Sequence, residues 1–98
     1  MNKFSILGEL VAIPGKREEL LEILVEAKEL LEKKNPDCHL YSLNTAEDTP
    51  DSIFVYEIWT DEASHSNSLL DQEVLTLIMK GKPLVQDMKQ HYTFVNVA

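Results

Sequence analysis

The sequence IFVYEIWTDEA, at residues 53–63, contains the pattern that decides the fold. Its first seven residues are β-branched or aromatic apart from one glutamate, which predicts a strand that ends at Trp59. Thr60-Asp61 then supplies a capping oxygen, and Glu62 adds an acid to the first turn of a helix that we expect to run towards Leu70. A strand therefore passes directly into a helix at this point.

Three elements are predicted before this stretch. Residues 4–13 are rich in β-formers and apolar on both faces, so they predict a strand that is covered on both sides. Apolar residues recur at helical spacing over residues 16–34, and the proline within residues 35–37 ends this helix. A second strand is expected at residues 38–45. The acidic segment 46–52 then connects it to the next strand, and the two strands form a hairpin.

The elements after this stretch complete a known order. Asp71 is a candidate cap for further helical turns, and apolar residues continue at helical spacing until Gly81. Residues 84–88 suggest a last short helical piece, and residues 91–97 predict a closing strand. The order strand, helix, strand, strand, helix, strand is the ferredoxin-like βαββαβ arrangement with an antiparallel sheet, so the predicted class is α+β. A chain of this length fits a single domain over residues 1–98.

We expect helices to cover one face of this sheet and to leave the other face uncovered. Helices cover only one face in this arrangement, yet the first strand also carries Leu7, Val11 and Ile13 on the other face. An exposed apolar surface of this size on a small protein usually marks an association surface. We therefore expect a symmetric homodimer formed through the sheets.

The charge balance excludes several classes of partner. Seventeen acidic and nine basic residues give a net charge of −8, which repels nucleic acid and anionic membrane surfaces. No apolar run reaches the roughly 18 residues that a membrane span needs. Cys38 is the only cysteine in the sequence, so no internal disulfide can form. We expect a cytoplasmic protein without a nucleic-acid or membrane partner.

The sequence has no pattern typical of a metal or nucleotide site. Cys38 and the three histidines show none of the recurrent zinc spacings, so no metal site is expected. The three glycines, at positions 8, 15 and 81, are too far apart for a phosphate-binding loop. Metal and nucleotide cofactors are therefore not indicated.

Polar side chains within apolar segments are the candidate site residues. Trp59 is either a core anchor or a pocket wall with an indole donor, and His65 either transfers a proton or is solvated on its helix. Glu57 shares the face of Trp59 and is either a base or the partner of a basic residue across an interface. For each tyrosine the alternative is a ring in the core with its hydroxyl at the surface. The remaining candidates are Tyr41, Tyr56, Ser68, His91 and Tyr92.

Three short motifs resemble those of the antibiotic biosynthesis monooxygenase domain family. They are Pro14-Gly15-Lys16, the Asn35-Pro36-Asp37-Cys38 turn and residues 56–63, and the resemblance covers nearly the whole chain. It implies a ferredoxin-like domain that pairs into a dimeric α+β barrel. It also implies a monooxygenase that oxidises small aromatic substrates, such as quinols or phenols, with dioxygen. Several members of that family use no metal, flavin or haem.

The resemblance also implies roles for individual residues. Trp59, as the tryptophan of the family, lines a pocket between the sheet and the helices and donates a hydrogen bond, while His65 and Ser68 handle protons or act as donors. Haem degradation is not implied. The haem-degrading relatives have an asparagine, a tryptophan and a histidine at approximately the places of Gly8, Ser68 and Ile78.

Other functions remain open beside the oxygenase. Tyr41, Tyr56 and Tyr92 are expected to contact the substrate, but the same fold also suits a dimeric module that binds an aromatic metabolite or regulates without catalysis. A third alternative is a structural dimer whose pocket is filled by side chains. Two positions depart from the family pattern: Ser68 stands where many relatives have histidine, and Asp37 where glycine is common. A cavity of a few hundred Å³ with convergent donors favours binding or catalysis.

Overall fold

Helices and strands succeed one another where the spacing of the apolar residues changes along the chain. The structure is a computed structural model that describes residues 2–98. Residues that alternate between two environments form strands, and apolar residues three or four apart form helices. The elements are β1 (Lys3–Ala12), α1 (Arg17–Lys34), β2 (Cys38–Ala46), β3 (Thr49–Trp59), α2 (Glu62–Ser68), α3 (Gln72–Gly81) and β4 (Val85–Asn96), with a 3₁₀ turn at Lys82–Leu84.

The described strands form one antiparallel sheet in the order β2-β3-β1-β4. β1 lies between β3 and β4, and its register with β3 places Phe4 opposite Trp59 and Leu10 opposite Ile53. β2 pairs with β3 as the predicted hairpin. Since this order of strands and helices is that of the ferredoxin-like fold, the predicted α+β class is confirmed.

Helix α1 packs its apolar stripe against one face of the sheet. Leu20 lies in the main core cluster together with Ile53 and Val55 of β3. Burial of a leucine or isoleucine side chain contributes about 1.5–3 kcal/mol to folding, so this stripe is what holds the helix on the sheet. The buried residues of α1 are Leu20, Ile23, Ala27 and Leu31.

Single residues fix both ends of α3. At its start, the side chain of Asp71 accepts hydrogen bonds from the backbone N–H groups two and three residues further on, which confirms the predicted cap. At its end, a β-carbon on Gly81 would lie 3.3 Å from Cδ1 of Leu20 and 3.6 Å from Cγ2 of Ile23. Glycine therefore lets α3 approach α1 closely.

The segment at residues 84–88 is a strand rather than the predicted helical piece. The 3₁₀ turn ends at Leu84, and β4 begins at Val85. Apolar residues at positions 84, 85 and 88 fit either structure, so their spacing could not decide between them. Pairing with β1 decides it, because Val85 lies opposite Ala12 and Met88 lies opposite Leu10.

The connection between β2 and β3 is also shorter than the acidic sequence suggests. Thr49 already pairs with Ala46, so the turn consists of residues 47 and 48. Pro50 lies within β3 although it has no N–H group for the ladder. The pairing is irregular between Asn44 and Ala46, directly across from this proline, and such irregularities are where sheets tolerate proline.

The face of the sheet away from the helices, which we call the open face, is bare in the single chain. Residues that alternate with the core residues along each strand point to it. Tyr92, for example, is 62% exposed. An apolar surface of this kind is a candidate for contact with a partner or a ligand. Its large apolar residues include Leu7, Val11, Phe54, Tyr56, Ile58, Tyr92 and Phe94.

Candidate active site

The end of β3 places the tryptophan beneath the helices. Trp59 is the last residue of β3, and it lies opposite Phe4 of β1 and Cys38 of β2 on the helix-covered face. Its side chain is fully buried, in one cluster with Leu31 of α1 and Val74 of α3. The indole ring is therefore held by the sheet and by two helices.

Glu57 points to the same face, because residues two apart on a strand point the same way. The Trp59 Nε1–H donates a hydrogen bond to Oε1 of Glu57 at 2.9 Å. Glu57 lies opposite Tyr41 of β2 and Ile6 of β1, and its side chain is 15% exposed. A carboxyl group is thus placed under the helix layer with the indole as its donor.

His65 of α2 lies over this pair. The helix begins where the sequence predicts, with the Asp61 side chain accepting a hydrogen bond from the backbone N–H three residues on. The His65 Nε2 lies 3.8 Å from Oε1 of Glu57. Its ring centroid is 5.6 Å from that of Trp59 in an edge-on arrangement and 5.8 Å from that of Phe4. We call Glu57, Trp59 and His65 the Trp59 site.

The pKa values of the acidic groups around the Trp59 site are raised. Burial raises the pKa of Glu57, while the hydrogen bond from Trp59 and the nearby His65 oppose this rise in part. Burial, together with the charge of Glu57, also raises the pKa of Tyr41. The same two causes raise the pKa of the Cys38 thiol to about 11. Glu57 is therefore a stronger proton acceptor than an exposed carboxylate.

Ser68 makes its hydrogen bond inside α2. It is the buried residue of that helix, and its hydroxyl donates to the backbone carbonyl oxygen of His65 at 2.6 Å. Such a bond to a preceding carbonyl is common for serine in a helix. Ser68 thus supports the helical turn that carries His65.

The three candidate tyrosines lie on two different faces of the sheet. Tyr41 is on the helix-covered face, opposite Glu57. Tyr56 and Tyr92 are on the open face, where both lie opposite Leu7 of β1 from the two neighbouring strands. The structure therefore brings only one of these tyrosines to the Trp59 site.

The two hollows that are best defined over residues 2–98 lie away from the tryptophan, so the pocket expected beside it stays a prediction. One hollow of about 530 Å³ lies on the open face, and one of about 320 Å³ lies between α1 and α3. Neither is lined by Trp59, His65 or Ser68. The space next to the indole is occupied by Leu31 and Val74.

A second carboxyl and histidine pair lies on the open face; the sequence indicated His91 as a candidate but not Glu9 or Ser52. The Ser52 hydroxyl donates to Oε2 of Glu9, and the His91 Nε2 lies 2.7 Å from Oε1 of the same carboxyl. His91 also stacks on Phe54, with 6.3 Å between ring centroids. The hydrogen bonds from Ser52 and His91 lower the pKa of Glu9. We call Glu9, Ser52 and His91 the Glu9 cluster; the one available signal was an acid within an apolar strand.

The Trp59 site contains two residue types that bind metals, Glu57 and His65. Over residues 2–98, however, no three histidine, cysteine or carboxylate side chains are close enough together to hold a metal ion. In the same part of the chain, every helix is too short or too polar to span a bilayer.

These features define a class of protein: a ferredoxin-like α+β domain in which a buried tryptophan and a carboxyl group lie under the second helix, next to a histidine of that helix. Residues 4–75 match the family model for antibiotic biosynthesis monooxygenase. The chain belongs to the antibiotic biosynthesis monooxygenase family, as its motifs indicated.

Solved structures resemble this chain over almost its whole length. A candidate antibiotic biosynthesis monooxygenase from Chloroflexus aurantiacus J-10-fl is 31% identical, with a TM-score of 0.87 over 98% of this chain and 94% of that chain. One from Caulobacter crescentus CB15 is 12% identical, with a TM-score of 0.90 over 99% of this chain and 92% of that chain. At that identity the likeness shows the fold alone. The curated proteins gave no match.

Proposed function

We propose that the protein is a cofactor-independent monooxygenase that oxidises a small quinol or phenol with dioxygen. The observation that carries the proposal is the buried carboxyl of Glu57, which accepts a hydrogen bond from Trp59 and lies 3.8 Å from His65. Loss of the hydroxyl proton makes a phenol electron-rich enough to pass an electron to dioxygen, and a desolvated carboxylate assists that loss. Membership of the family supports the same class of reaction.

In this mechanism the chain supplies proton transfer and charge stabilisation. Glu57 takes the hydroxyl proton of the substrate, and His65, whose side chain is 19% exposed, carries it towards solvent. The Trp59 N–H then donates to the negative oxygen of the deprotonated substrate. Overall, the substrate loses two hydrogen atoms and gains one oxygen atom, while the other oxygen atom of dioxygen leaves as water.

Access to Trp59 depends in this proposal on movement of α2. The helix has seven residues, and Ser68 is the only one of them that is buried. An element with so little buried surface opens at low free-energy cost. His65 is therefore both a proton carrier and part of the cover, Ser68 positions it through the backbone, and Tyr41 forms the inner wall beside Glu57.

One observation favours a second function, a dimeric module that binds an aromatic metabolite without changing it. Trp59 is fully buried and packed in the structure, while the larger hollow lies on the opposite face of the sheet. A site that stays closed cannot admit both a substrate and dioxygen. Catalysis and binding therefore need to be separated by experiment.

Oxygen uptake with a panel of quinols and phenols, in buffer treated with a chelator, tests the proposed reaction. We expect uptake by the wild-type protein above the uncatalysed background. Glu57→Gln slows it about a hundredfold or more, because it removes the proton acceptor and keeps the shape. Trp59→Phe also lowers the rate. His65→Ala and Ser68→Ala test the proton carrier and the residue that positions it.

Glu47→Gln is the matched control, because Glu47 is an exposed acid in the turn between β2 and β3. It is expected to keep the wild-type rate. Uptake no faster than background across the whole panel contradicts the oxygenase and favours the binding module. A wild-type rate in both His65→Ala and Ser68→Ala contradicts the roles given to those side chains.

We also propose that two copies pair through the open face. Its apolar residues, Tyr92 and Phe54 among them, are left without cover by the chain's own helices. Sedimentation at micromolar concentration is expected to show a dimer, which Tyr92→Asp weakens because it places a charge in the interface. Leu70→Asp is the control, since Leu70 is 72% exposed on the helix layer. A wild-type monomer contradicts the pairing.

A further inference from the structure

The imidazole ring of His65 lies among the groups that the proposed reaction uses. Its centroid is 5.6 Å from that of the Trp59 indole, in an edge-on arrangement, and 5.8 Å from that of Phe4, in a tilted one. Its Nε2 lies 3.8 Å from Oε1 of Glu57. Two aromatic rings and one carboxyl group therefore adjoin a planar ring with a polar group on its rim.

These neighbours suit a phenol better than they suit the imidazole. Edge-on and tilted contacts between aromatic rings are favourable, so any planar ring of similar size gains them from Trp59 and Phe4. At 3.8 Å, however, His65 lies beyond hydrogen-bond distance from Glu57. A hydroxyl group donates to a carboxylate at about 2.5–2.7 Å, and such a bond is among the strong ones. A phenol in the place of the imidazole would make the hydrogen bond that His65 does not make.

The neighbours of the imidazole are fixed, whereas the imidazole itself is carried by a loosely held helix. The neighbours lie on β1 and β3, which pair with each other along their length. His65 lies on α2, in which Ser68 alone is buried. After this helix, Leu69 and Leu70 are 43% and 72% exposed. Movement of α2 therefore withdraws the imidazole and leaves the rest of the site in place.

We propose that His65 closes the site by occupying the place of the substrate ring, so that a small single-ring phenol binds only where the imidazole has been withdrawn. The phenol ring then lies against Trp59 and Phe4, with its hydroxyl on Glu57. This inference rests on the proposed function for the identity of the ligand. Once withdrawn, the imidazole lies on the solvent side of the substrate, in agreement with its role as proton carrier.

Phenol is the probe, and two-dimensional NMR of the nitrogen-labelled protein is the measurement. Trp59 is the sole tryptophan, so its indole N–H gives a single side-chain signal beside the proposed place. We expect this signal to shift saturably with phenol. His65→Ala binds phenol about tenfold or more tightly than wild type, because minor open states are populated at about 0.1–10% and the variant no longer has to open. Anisole, which lacks the O–H group, binds His65→Ala about threefold to tenfold more weakly than phenol does.

Two further variants separate vacated space from other effects of the substitution. His65→Leu removes the ring nitrogens but refills the place, so it is expected to show no gain in phenol affinity. Asn67→Ala is the matched control, because it removes an exposed side chain from the same helix, and it is expected to bind phenol as wild type does. Equal phenol affinity in wild type and His65→Ala overturns the proposal. So does an equal gain in His65→Leu.

Oxygen uptake separates this inference from the proposed reaction. In an active protein, His65→Ala is expected to lower KM as well as kcat, because the substrate enters more easily while its proton carrier is lost. A lower kcat with an unchanged KM contradicts the displacement of the imidazole. Tighter phenol binding by His65→Ala, with uptake at background in the wild-type protein, supports the displacement and contradicts the oxygenase.

Discussion

One sheet carries two carboxyl and histidine pairs, one on each face, and they behave in opposite ways. On the helix-covered face, Glu57 and His65 are 3.8 Å apart, and burial raises the pKa of the glutamate. On the open face, Glu9 and His91 are 2.7 Å apart, and the pKa of the glutamate is lowered. The same two residue types therefore give one carboxyl that accepts protons and one that stays ionised.

Burial and hydrogen-bond donors together explain the difference, because desolvation has the largest influence on the pKa of Glu57 and hydrogen bonds have the largest influence on that of Glu9. Glu9 is 8% exposed, but both of its oxygens have a partner, Ser52 on one and His91 on the other. Glu57 has one hydrogen-bond donor, the Trp59 indole, and its histidine lies beyond hydrogen-bond distance. A carboxylate keeps its charge in a covered place when donors replace water. Glu57 suits proton transfer, whereas Glu9 suits the anchoring of three strands.

The largest expected change in stability comes from the difference in packing between the two faces of the sheet. Trp59→Ala is expected to lower the free energy of unfolding by about 3–5 kcal/mol, because it leaves a cavity between the sheet and the helices. Tyr92→Ala on the open face is the matched aromatic control, with an expected loss below about 1 kcal/mol in the monomer. Urea unfolding at low protein concentration measures both. Equal losses would mean that the open face is as well packed as the helix-covered one.

The next effect concerns the charge on the open face. Glu9→Gln is expected to lower the free energy of unfolding by roughly 1–2 kcal/mol near neutral pH, because two hydrogen bonds lose their charge. The pKa of Glu9 is lowered in the folded protein, and this determines how its contribution to stability changes with pH. The stabilisation is complete above the ordinary value of 4.5 and is lost as the pH falls through the lower value of the folded state. Urea unfolding of wild type and variant across acidic and neutral pH measures the difference.

The control for this experiment is Glu47→Gln, an exposed acid whose change is expected to leave stability within about 0.5 kcal/mol. A Glu9→Gln loss that stays constant into strong acid contradicts the account, because both proteins are then uncharged at position 9. His91→Gln adds a further check. It is expected to reduce the pH dependence contributed by Glu9, since one of the two partners is weakened.

The sequence predicted the fold better than it predicted the sites. The spacing of the apolar residues predicted the order of strands and helices. Because Glu57 and Trp59 are two residues apart in one strand, they were predicted to lie on the same face of the sheet. The cap at Asp61 placed His65 one turn into α2, but it did not predict the distance between His65 and Glu57. These are local relations, and short-range patterns carry them.

Relations between distant parts of the chain could not be found in this way. The partners of Glu9 are 43 and 82 positions away, and only the register of three strands brings them together. The packing around Trp59 likewise depends on Leu31 and Val74, from two different helices. Residues 84–88 were misassigned for the same reason, since pairing with β1 outweighs their helical spacing.

The smallest expected change in stability is a gain rather than a loss, and it tests the comparison of Glu57 with Glu9 most directly. Glu57→Gln keeps an oxygen that can accept the Trp59 hydrogen bond but removes the buried charge. The pKa of Glu57 is raised, so the folded protein holds this proton more tightly than the unfolded chain does. Wild type therefore loses stability as the pH rises from the ordinary value of 4.5 through the higher folded value, and the variant does not.

Glu57→Gln is thus expected to be more stable than wild type near neutral pH, with the gain shrinking towards zero in acid. Urea unfolding over the same pH series as for Glu9→Gln gives two difference curves with opposite signs. If the Glu57→Gln curve instead follows that of Glu9→Gln, the charged form of Glu57 is stabilised by partners as Glu9 is. The carboxyl under α2 would then be a structural anchor, and the proposed reaction would lose its proton acceptor.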